Sequence, residues 1–294
     1  MTIHLVKIIL ALPSMWMVWL TAAAFMLLQS SCNTPRYVYS PAAHNVPMLT
    51  QKGDSKLGVL YSSNSGGDDD IINFGPSRSD GIDVQAAYAV SNHWAMMFNY
   101  FYRHEKNGDD FNSTPALIRY NRNLTELGAG YFTSINSNKS VFFHAYAGAG
   151  AGKFKFKDYQ INGTTLQYRN FHQADVFKFF LQPAIMYQYK KISSVAVSSR
   201  FSILNYTNIK TNYDSSQLAL YELATLKNGP VVFWEPAFVY AQGLKKFPFI
   251  RLELQAGMSA LLSRRFVDAR TLNFSLGFQA DMLNLFKKKQ PKKD

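Results

Sequence analysis

Long stretches of this chain alternate between apolar and polar residues at every step. From residue 271 to residue 283 one phase is apolar and the other is polar or small, the apolar phase being Leu272, Phe274, Leu276, Phe278, Ala280 and Met282. A period of two is that of a β-strand, whose successive side chains point to opposite faces. Ten such segments occur, at residues 55–62, 81–90, 93–103, 123–135, 140–156, 171–189, 192–206, 230–242, 247–262 and 270–285. The sequence therefore predicts an all-β protein.

The connections between these segments alternate in length. Short turns are predicted at residues 91–92, 136–139, 190–191 and 243–246, and longer loops at residues 63–80, 104–122, 157–170, 207–229 and 263–269. An even number of strands with tight turns at one end and long loops at the other resembles the small bacterial outer-membrane β-barrel proteins, over residues 54–286. The resemblance implies a single closed antiparallel up-and-down transmembrane β-barrel of about ten strands. Many such barrels end on an aromatic residue, whereas here eight residues follow Phe286.

The charged residues on the polar face of the predicted strands decide which face is turned away from the lipid. An Arg or Lys in hydrocarbon costs on the order of 2–4 kcal/mol at the bilayer midplane, so a transmembrane barrel must turn its charged phase into the lumen. We expect a packed polar network there, made by Asp83, Glu126, Lys178, Arg200, Glu235, Arg251, Glu253 and Asp281. About ten strands enclose a narrow lumen, and we expect it to be mostly plugged. A soluble barrel exchanges inside and outside, but segments longer than about ten residues favour the bilayer.

Glycines recur on the polar phase of several segments, namely Gly128, Gly130, Gly148, Gly150, Gly152, Gly257 and Gly277. We expect them to face inward, where they let the wall bend or make room for large side chains; a small internal cavity is the alternative. Pairing through the turn at residues 136–139 predicts Gly128 opposite Gly148 and Gly130 opposite Tyr146; Gly257 and Gly277 are predicted to lie opposite each other. The run from Gly148 to Lys153 is not a phosphate loop, because Phe154 replaces the required Ser or Thr and the strand continues.

The N-terminal region resembles a lipoprotein export signal. An almost uncharged run at residues 8–28 ends in Gln29-Ser30-Ser31-Cys32, which predicts a signal peptide at residues 1–31 and lipidation of Cys32. Bacterial lipoproteins usually have Leu three residues before the cysteine, where this chain has Gln29. A retained helical anchor and a free thiol are the alternatives. Residues 32–53, with three prolines, predict an extended tether, and residues 287–294 a basic tail; we expect both on the periplasmic side.

The net charge of +12 does not indicate nucleic-acid binding, because an exported chain rarely meets nucleic acid. The lysines of the tail are either solvated or in contact with anionic lipid headgroups. We expect outer-membrane lipids as partners, with lipopolysaccharide or other envelope molecules as further candidates. The acidic run Asp68 to Asp70 could bridge divalent cations to lipid phosphates, or be a solvated loop. No catalytic residues, cofactor or metal site are predicted, and the oligomeric state is left open.

The leading functional hypothesis is a non-enzymatic outer-membrane β-barrel lipoprotein, with a structural or binding role for its long external loops and a mostly plugged charged lumen. A second hypothesis is an envelope- or lipid-modifying enzyme, which would use chemically capable residues of the predicted loops. These are His104, Glu105, Asp109, Asp110, Asp158, His172, Asp214, Ser215 and Ser216. A third is a narrow pore for small solutes, and a fourth is a soluble periplasmic carrier of an apolar ligand.

Overall fold

The computed structural model describes residues 34–66, 78–109, 116–163, 165–190, 192–244, 246–264 and 266–282. Its strands are β1 Ser55–Ser65, β2 Arg78–Ala89, β3 Trp94–Asp109, β4 Ala116–Ser134, β5 Val141–Asn162, β6 Thr165–Tyr189, β7 Ser193–Thr211, β8 Val231–Leu244, β9 Phe247–Met258, β10 Ala260–Leu261 and β11 Leu272–Ala280. A short helix, α1 Ser215–Leu220, and a 3-10 turn, Leu223–Asn228, lie between β7 and β8. None of the helices described is long and apolar enough to cross a membrane. The predicted signal peptide, Cys32, Asp68 to Asp70 and the basic tail lie outside the described residues.

The strands form one closed antiparallel barrel. Each strand from β1 to β8 pairs with the next, β8 pairs with β9, β9 with β11, and β11 with β1. The two-residue β10 continues β9 after Ser259 and pairs with β8 through Ala260 and Trp234. Ten strand positions therefore close the wall, which confirms the predicted up-and-down architecture.

The wall is polar inside and apolar outside. On β9 and β11 the side chains of Leu254 and Phe278 are 43% and 65% exposed. Glu253, the residue before Leu254 on β9, points to the opposite face and is completely buried. Arg251 within β9 and Asp281 directly after β11 also point into the interior and are buried. This polarity is the reverse of that of a soluble barrel, whose apolar residues face inward.

Several strands run beyond their predicted ends on the long-loop side. The predicted loop at residues 157–170 is instead a hairpin, in which β5 and β6 pair as far as Asn162 and Thr165, with one register shift between Asp158 and Tyr159. Gly163 makes its turn with a φ of +59°, a left-handed conformation that glycine adopts without strain. The prediction of a long loop was wrong here because the outward-facing residues of both strands become polar. The alternation of apolar and polar residues therefore ends several residues before the pairing of the two strands ends.

Three inward glycines of β4 and β5, namely Gly128, Gly130 and Gly148, lie against large rings. Gly128 is paired with Gly148 and Gly130 with Tyr146, which is the predicted register. A Cβ atom at Gly148 would lie 2.6 Å from the ring of Phe180, and one at Gly130 would overlap the ring of Tyr146. These glycines make room for aromatic rings that fill the lumen.

The predicted pairing of Gly257 with Gly277 is wrong, although both lie at inward positions. Gly257 is opposite Asn273, and Gly277 is opposite Glu253. The backbone N–H of Ser259 donates to the carbonyl of Thr271 at 2.7 Å, and this bond holds the two strands in a register offset by four residues from the predicted one.

We expect Gly148→Ala to lower the free energy of unfolding by about 1–3 kcal/mol, because the added methyl group would overlap the carbonyl oxygen of Leu127 and the ring of Phe180. Urea unfolding of the folded barrel in lipid vesicles measures this change. Gly257→Ala is the matched control, since its nearest contact would be the Cβ of Ala237 at 3.3 Å. Equal stability losses in the two variants would contradict the assigned packing.

Candidate functional site

The lumen is occupied by residues 35–49, here called the lumenal segment. It is extended, and Tyr37, Asn45 and Leu49 within it are completely buried. At the N-terminal end of the segment, the side chain of Asn107 donates to the carbonyl of Pro35 at 3.3 Å. Just after its C-terminal end, the N–H of Gly53 donates to the carbonyl of Ala89 at 2.9 Å. Asn107 lies near the end of β3, next to the long loops, and Ala89 precedes the turn at residues 91–92. The segment therefore crosses the barrel from the long-loop end to the short-turn end.

This location differs from that expected for residues 32–53, a tether on the periplasmic side. Residues 35–49 instead lie inside the wall. The physical reason is that Pro35, Pro41 and Pro47 have no N–H group, so the segment brings fewer backbone donors that must be satisfied when it is buried. Its composition resembles that of a linker, which is why sequence patterns do not reveal its burial.

Amide side chains of the wall bind the backbone of the lumenal segment. Gln255 does this twice at His44, accepting from the backbone N–H and donating to the carbonyl, each at 2.8 Å. Wall side chains also donate to the carbonyls of Val38 (Tyr206, 3.1 Å), Pro41 (Asn64, 2.8 Å, and Asn273, 2.9 Å), Ala43 (Gln85, 3.1 Å) and Asn45 (Gln182, 2.9 Å). Buried backbone groups require such partners, and here the lumen provides them to an extended peptide.

Four of the predicted lumenal residues form one buried cluster beside this segment. The Nζ of Lys178 lies 3.0 Å from Glu126 and 3.7 Å from Glu235, and Arg200 lies 3.5 Å from the second oxygen of Glu126. Tyr39 of the lumenal segment donates its hydroxyl to Glu235 at 2.6 Å. The cluster thus joins strands β4, β6, β7 and β8 to the segment.

The other four predicted residues also lie inside but in separate groups. Asp83 pairs with Arg103 at 2.7 Å, and Glu253 pairs with Lys56 at 2.9 Å. Arg251 and Asp281 lie at the short-turn end, where the hydroxyl of Ser55 donates to Asp281 at 3.0 Å. The charged residues are therefore divided into local groups along the lumen.

Sequence reasoning missed a further ion group near the long-loop end. Glu105 lies 2.7 Å from Arg122 and 3.7 Å from Arg270, and it accepts a hydrogen bond from Ser40 of the lumenal segment at 2.6 Å. The sequence pattern places Glu105 and Arg122 in a loop. Every second residue of β3 from Asn99 onward faces inward, and extending this alternation to residue 105 would have predicted that Glu105 faces the lumen.

The long-loop end of the lumen is closed by apolar and paired residues. The guanidinium of Arg36 lies 2.7 Å from Asp158 and 3.9 Å from the ring centre of Tyr221. Leu223 and Leu226 of the 3-10 turn are buried in the apolar cluster that includes Tyr37 and Phe156. Residues 268–270 add a β-bridge to the segment, with the N–H of Val38 donating to the carbonyl of Asp268 at 2.8 Å.

Most residues expected in a catalytic loop have other roles in this structure. Asp158 accepts hydrogen bonds from Arg36 and from the hydroxyl of Tyr213. The pKa of Tyr213 is raised, mainly because its hydroxyl is buried and also because the negative charge of Asp158 lies beside it. His172 is buried in the lumen, its ring stacked on Phe156 with 5.5 Å between centres. His104 points outward and Asp214 caps α1. Ser215 and Ser216 lie in the first turn of α1. The side chain of Asp109 and all of Asp110 lie outside the described residues.

The described part of the chain also lacks a candidate metal site. It holds no group of three or more His, Cys, Asp or Glu side chains that could bind a metal ion.

The cavities show how fully the lumen is occupied. Two cavities beside the segment, lined among others by Ala43 and Tyr39, measure about 10 and 20 Å³, which is room for about one water molecule each. A larger basin of about 710 Å³ opens at the short-turn end, lined by residues that include Gln51, Lys139 and Lys190.

No protein-family model matches the sequence, and the search of curated proteins found no match. Among solved structures, the chain is similar to the outer-membrane protease OmpT from Escherichia coli, with 8% identity, a TM-score of 0.40 and coverage of 81% of this chain and 98% of that one. It is also similar to the translocator domain of the autotransporter NalP from Neisseria meningitidis (10%, 0.43, 81% and 89%) and to an outer-membrane channel from Pseudomonas putida (8%, 0.39, 81% and 99%). These similarities are too distant to indicate an activity. By its own closed wall and inverted polarity, the chain has the fold of a small outer-membrane β-barrel.

We expect Glu126→Gln to lower the free energy of unfolding by about 3–5 kcal/mol, because it leaves Lys178 and Arg200 buried with a partner charge removed. Asp175→Asn is the control: its carboxylate lies on the outer face, accepts a hydrogen bond from Asn208 and belongs to no buried ion group among the described residues. Urea unfolding in vesicles compares them. A loss at Glu126 no larger than that at Asp175 would contradict a stabilising role for the cluster.

Proposed function

We propose that this protein is a bacterial outer-membrane β-barrel sealed by its own lumenal segment, with a structural or binding role at its long-loop end. Lipidation of Cys32, as a second membrane anchor, is part of the proposal. The observation that carries it is the filled lumen, in which the wall side chains bind the backbone of residues 35–49. A barrel built to conduct would not enclose a segment held in this way along its length.

The outer face supports a location in a bilayer. On β5 every outward residue from Val141 to Ala151 is apolar, and the next outward position is Lys153. At the usual rise and tilt of membrane strands this band is about 25 Å tall, the height of the lipid-facing band of outer-membrane barrels. Exposed aromatic residues, among them Trp94 and Tyr187, border the band near the short turns, as aromatic girdles do at membrane interfaces.

The occupied lumen favours this proposal over a pore or an enzyme. A solute would have to displace the lumenal segment and the ion groups that contact it. Glu105, Asp158 and His172, three of the residues considered for an enzyme, point into the sealed interior and are packed or paired there. A substrate outside the barrel would not reach them.

The course of the lumenal segment also suggests a topology. Short turns of outer-membrane barrels are periplasmic, so we assign the short-turn end to the periplasm and the long-loop end to the outside. Pro35 then lies at the external end, whereas Asp281, from which the chain continues to the basic tail, lies at the periplasmic end. The proposal therefore keeps the expected periplasmic tail but replaces the periplasmic tether with a segment that enters from outside.

We expect the full-length protein to give no steady conductance in planar lipid bilayers, and a variant lacking residues 35–49 to conduct. Removing the segment empties the lumen while leaving all strands in place. Because that variant could fail to fold, Gln182→Ala/Gln255→Ala keeps the segment but removes three of its bonds to the wall, and it should open more often than wild type. Steady conductance by the wild type, or silence of both folded variants, would contradict the seal.

An epitope inserted directly before Pro35 should be accessible to antibody on intact cells, because the segment enters the lumen at the long-loop end. The same epitope in the turn at residues 136–139 is the control and should be detected only after the outer membrane is permeabilised. Detection of the first epitope only after permeabilisation would reverse the proposed orientation.

A further inference from the structure

A row of positive charges crosses the outer face just beyond the apolar band. Lys106 on β3 is directly opposite Arg119 on β4, and Arg119 is directly opposite Lys157 on β5. Lys153 and Lys155 occupy the two preceding outward positions of β5. We call Lys106, Arg119, Lys153, Lys155 and Lys157 the basic patch. Directly opposite side chains lie about 4.5–5.5 Å apart at Cβ, and like charges there are unfavourable.

The neighbouring acidic groups among the described residues of strands β3 to β6 offset only a small part of this charge. Glu105 and Asp158 belong to the same strands as the patch but point into the lumen, where they pair with Arg122 and Arg36. Asp175 is directly opposite Lys153 on the outer face, and it brings one negative charge against the five positive charges of the patch. Across the part of the chain that the structure describes, no ion pair involves a member of the basic patch.

Two tyrosine rings lie at the outer edge of the patch, on the side away from the apolar band, and contact two of its cations. The guanidinium of Arg119 lies 5.3 Å from the ring centre of Tyr159, and the Nζ of Lys157 lies 5.8 Å from that of Tyr168. These two rings pack edge to face, 6.1 Å apart. A row of cations at the border of an apolar band, with tyrosines beyond it, matches the charge and polarity of an anionic headgroup region.

We propose that the basic patch binds the phosphate groups of a phosphorylated lipid in the outer leaflet. This inference rests on the proposed membrane location. The acyl chains of the lipid lie along the apolar outward residues of β5, from Ala151 downward, while its phosphates lie between Arg119 and the three lysines of β5. The negative charge offsets the repulsion across β3, β4 and β5, which explains why the fold tolerates the row.

The experiment measures lipid retention by native mass spectrometry of the purified full-length chain in detergent. The probes are a lipid with two phosphate groups (lipid A), a phosphatidylcholine and inorganic phosphate. The patch variant is Lys153→Gln/Lys155→Gln/Lys157→Gln, and the matched control is Lys52→Gln/Lys139→Gln/Lys190→Gln, which removes three exposed lysines at the short-turn end. Lys155→Arg/Lys157→Arg keeps the charge.

We expect wild type, the control and the arginine variant to retain the phosphorylated lipid, and the patch variant to bind it about tenfold or more weakly, since each surface lysine adds to the attraction of an anionic headgroup. Phosphatidylcholine should bind equally weakly to all, and inorganic phosphate should not displace the lipid. Equal retention by the patch variant, equal loss in the control, or displacement by inorganic phosphate would overturn the proposal.

Detergent-phase partitioning of Cys32→Ala separates this proposal from the membrane proposal. If that variant stays in the aqueous phase, the membrane location fails whatever the patch does. If it enters the detergent phase while the patch variant still retains the lipid, the barrel is a membrane protein and only the lipid site is wrong.

Discussion

The need to satisfy a buried peptide backbone governs the interior of this barrel. An extended segment forms no hydrogen bonds within itself, so each of its buried polar groups needs a partner from the wall. Gln255 provides two of them at His44, and other amides and hydroxyls serve the carbonyls along the segment. The polar face of the strands therefore binds the segment and does not merely contact solvent, because its amides are placed where the segment has donors and acceptors.

The ion groups follow from the same constraint. A charge buried beside this segment is tolerated only with a close partner, and the cluster around Lys178 uses Glu126 and Glu235 for that purpose. Tyr39 extends the cluster to the segment through Glu235. Removing the segment would thus expose charged residues as well as empty space, and the stability of the wall depends on its occupant.

Much of the wall could be predicted from the sequence, because a strict period of two with one apolar face allows few folds. The eight predicted charged residues all lie inside for that reason. Arg103, Glu105 and Arg122 were missed as lumenal pairs because strands outside the apolar band have two polar faces and lose the pattern. The lumenal segment could not be predicted, since its partners, such as Gln85 and Gln182, are far away in sequence and its prolines are typical of a linker.

The seam of the barrel lies between the first long strand and the last, where β1 pairs with β11. Tyr37 and Tyr39 come before β1 in the chain, yet both are buried inside the wall that this pairing closes. The segment that carries them contacts the strands on both sides of the seam, because Asn64 of β1 and Asn273 of β11 both donate to the carbonyl of Pro41. The lumenal segment therefore links, from within, the two strands whose pairing closes the cylinder.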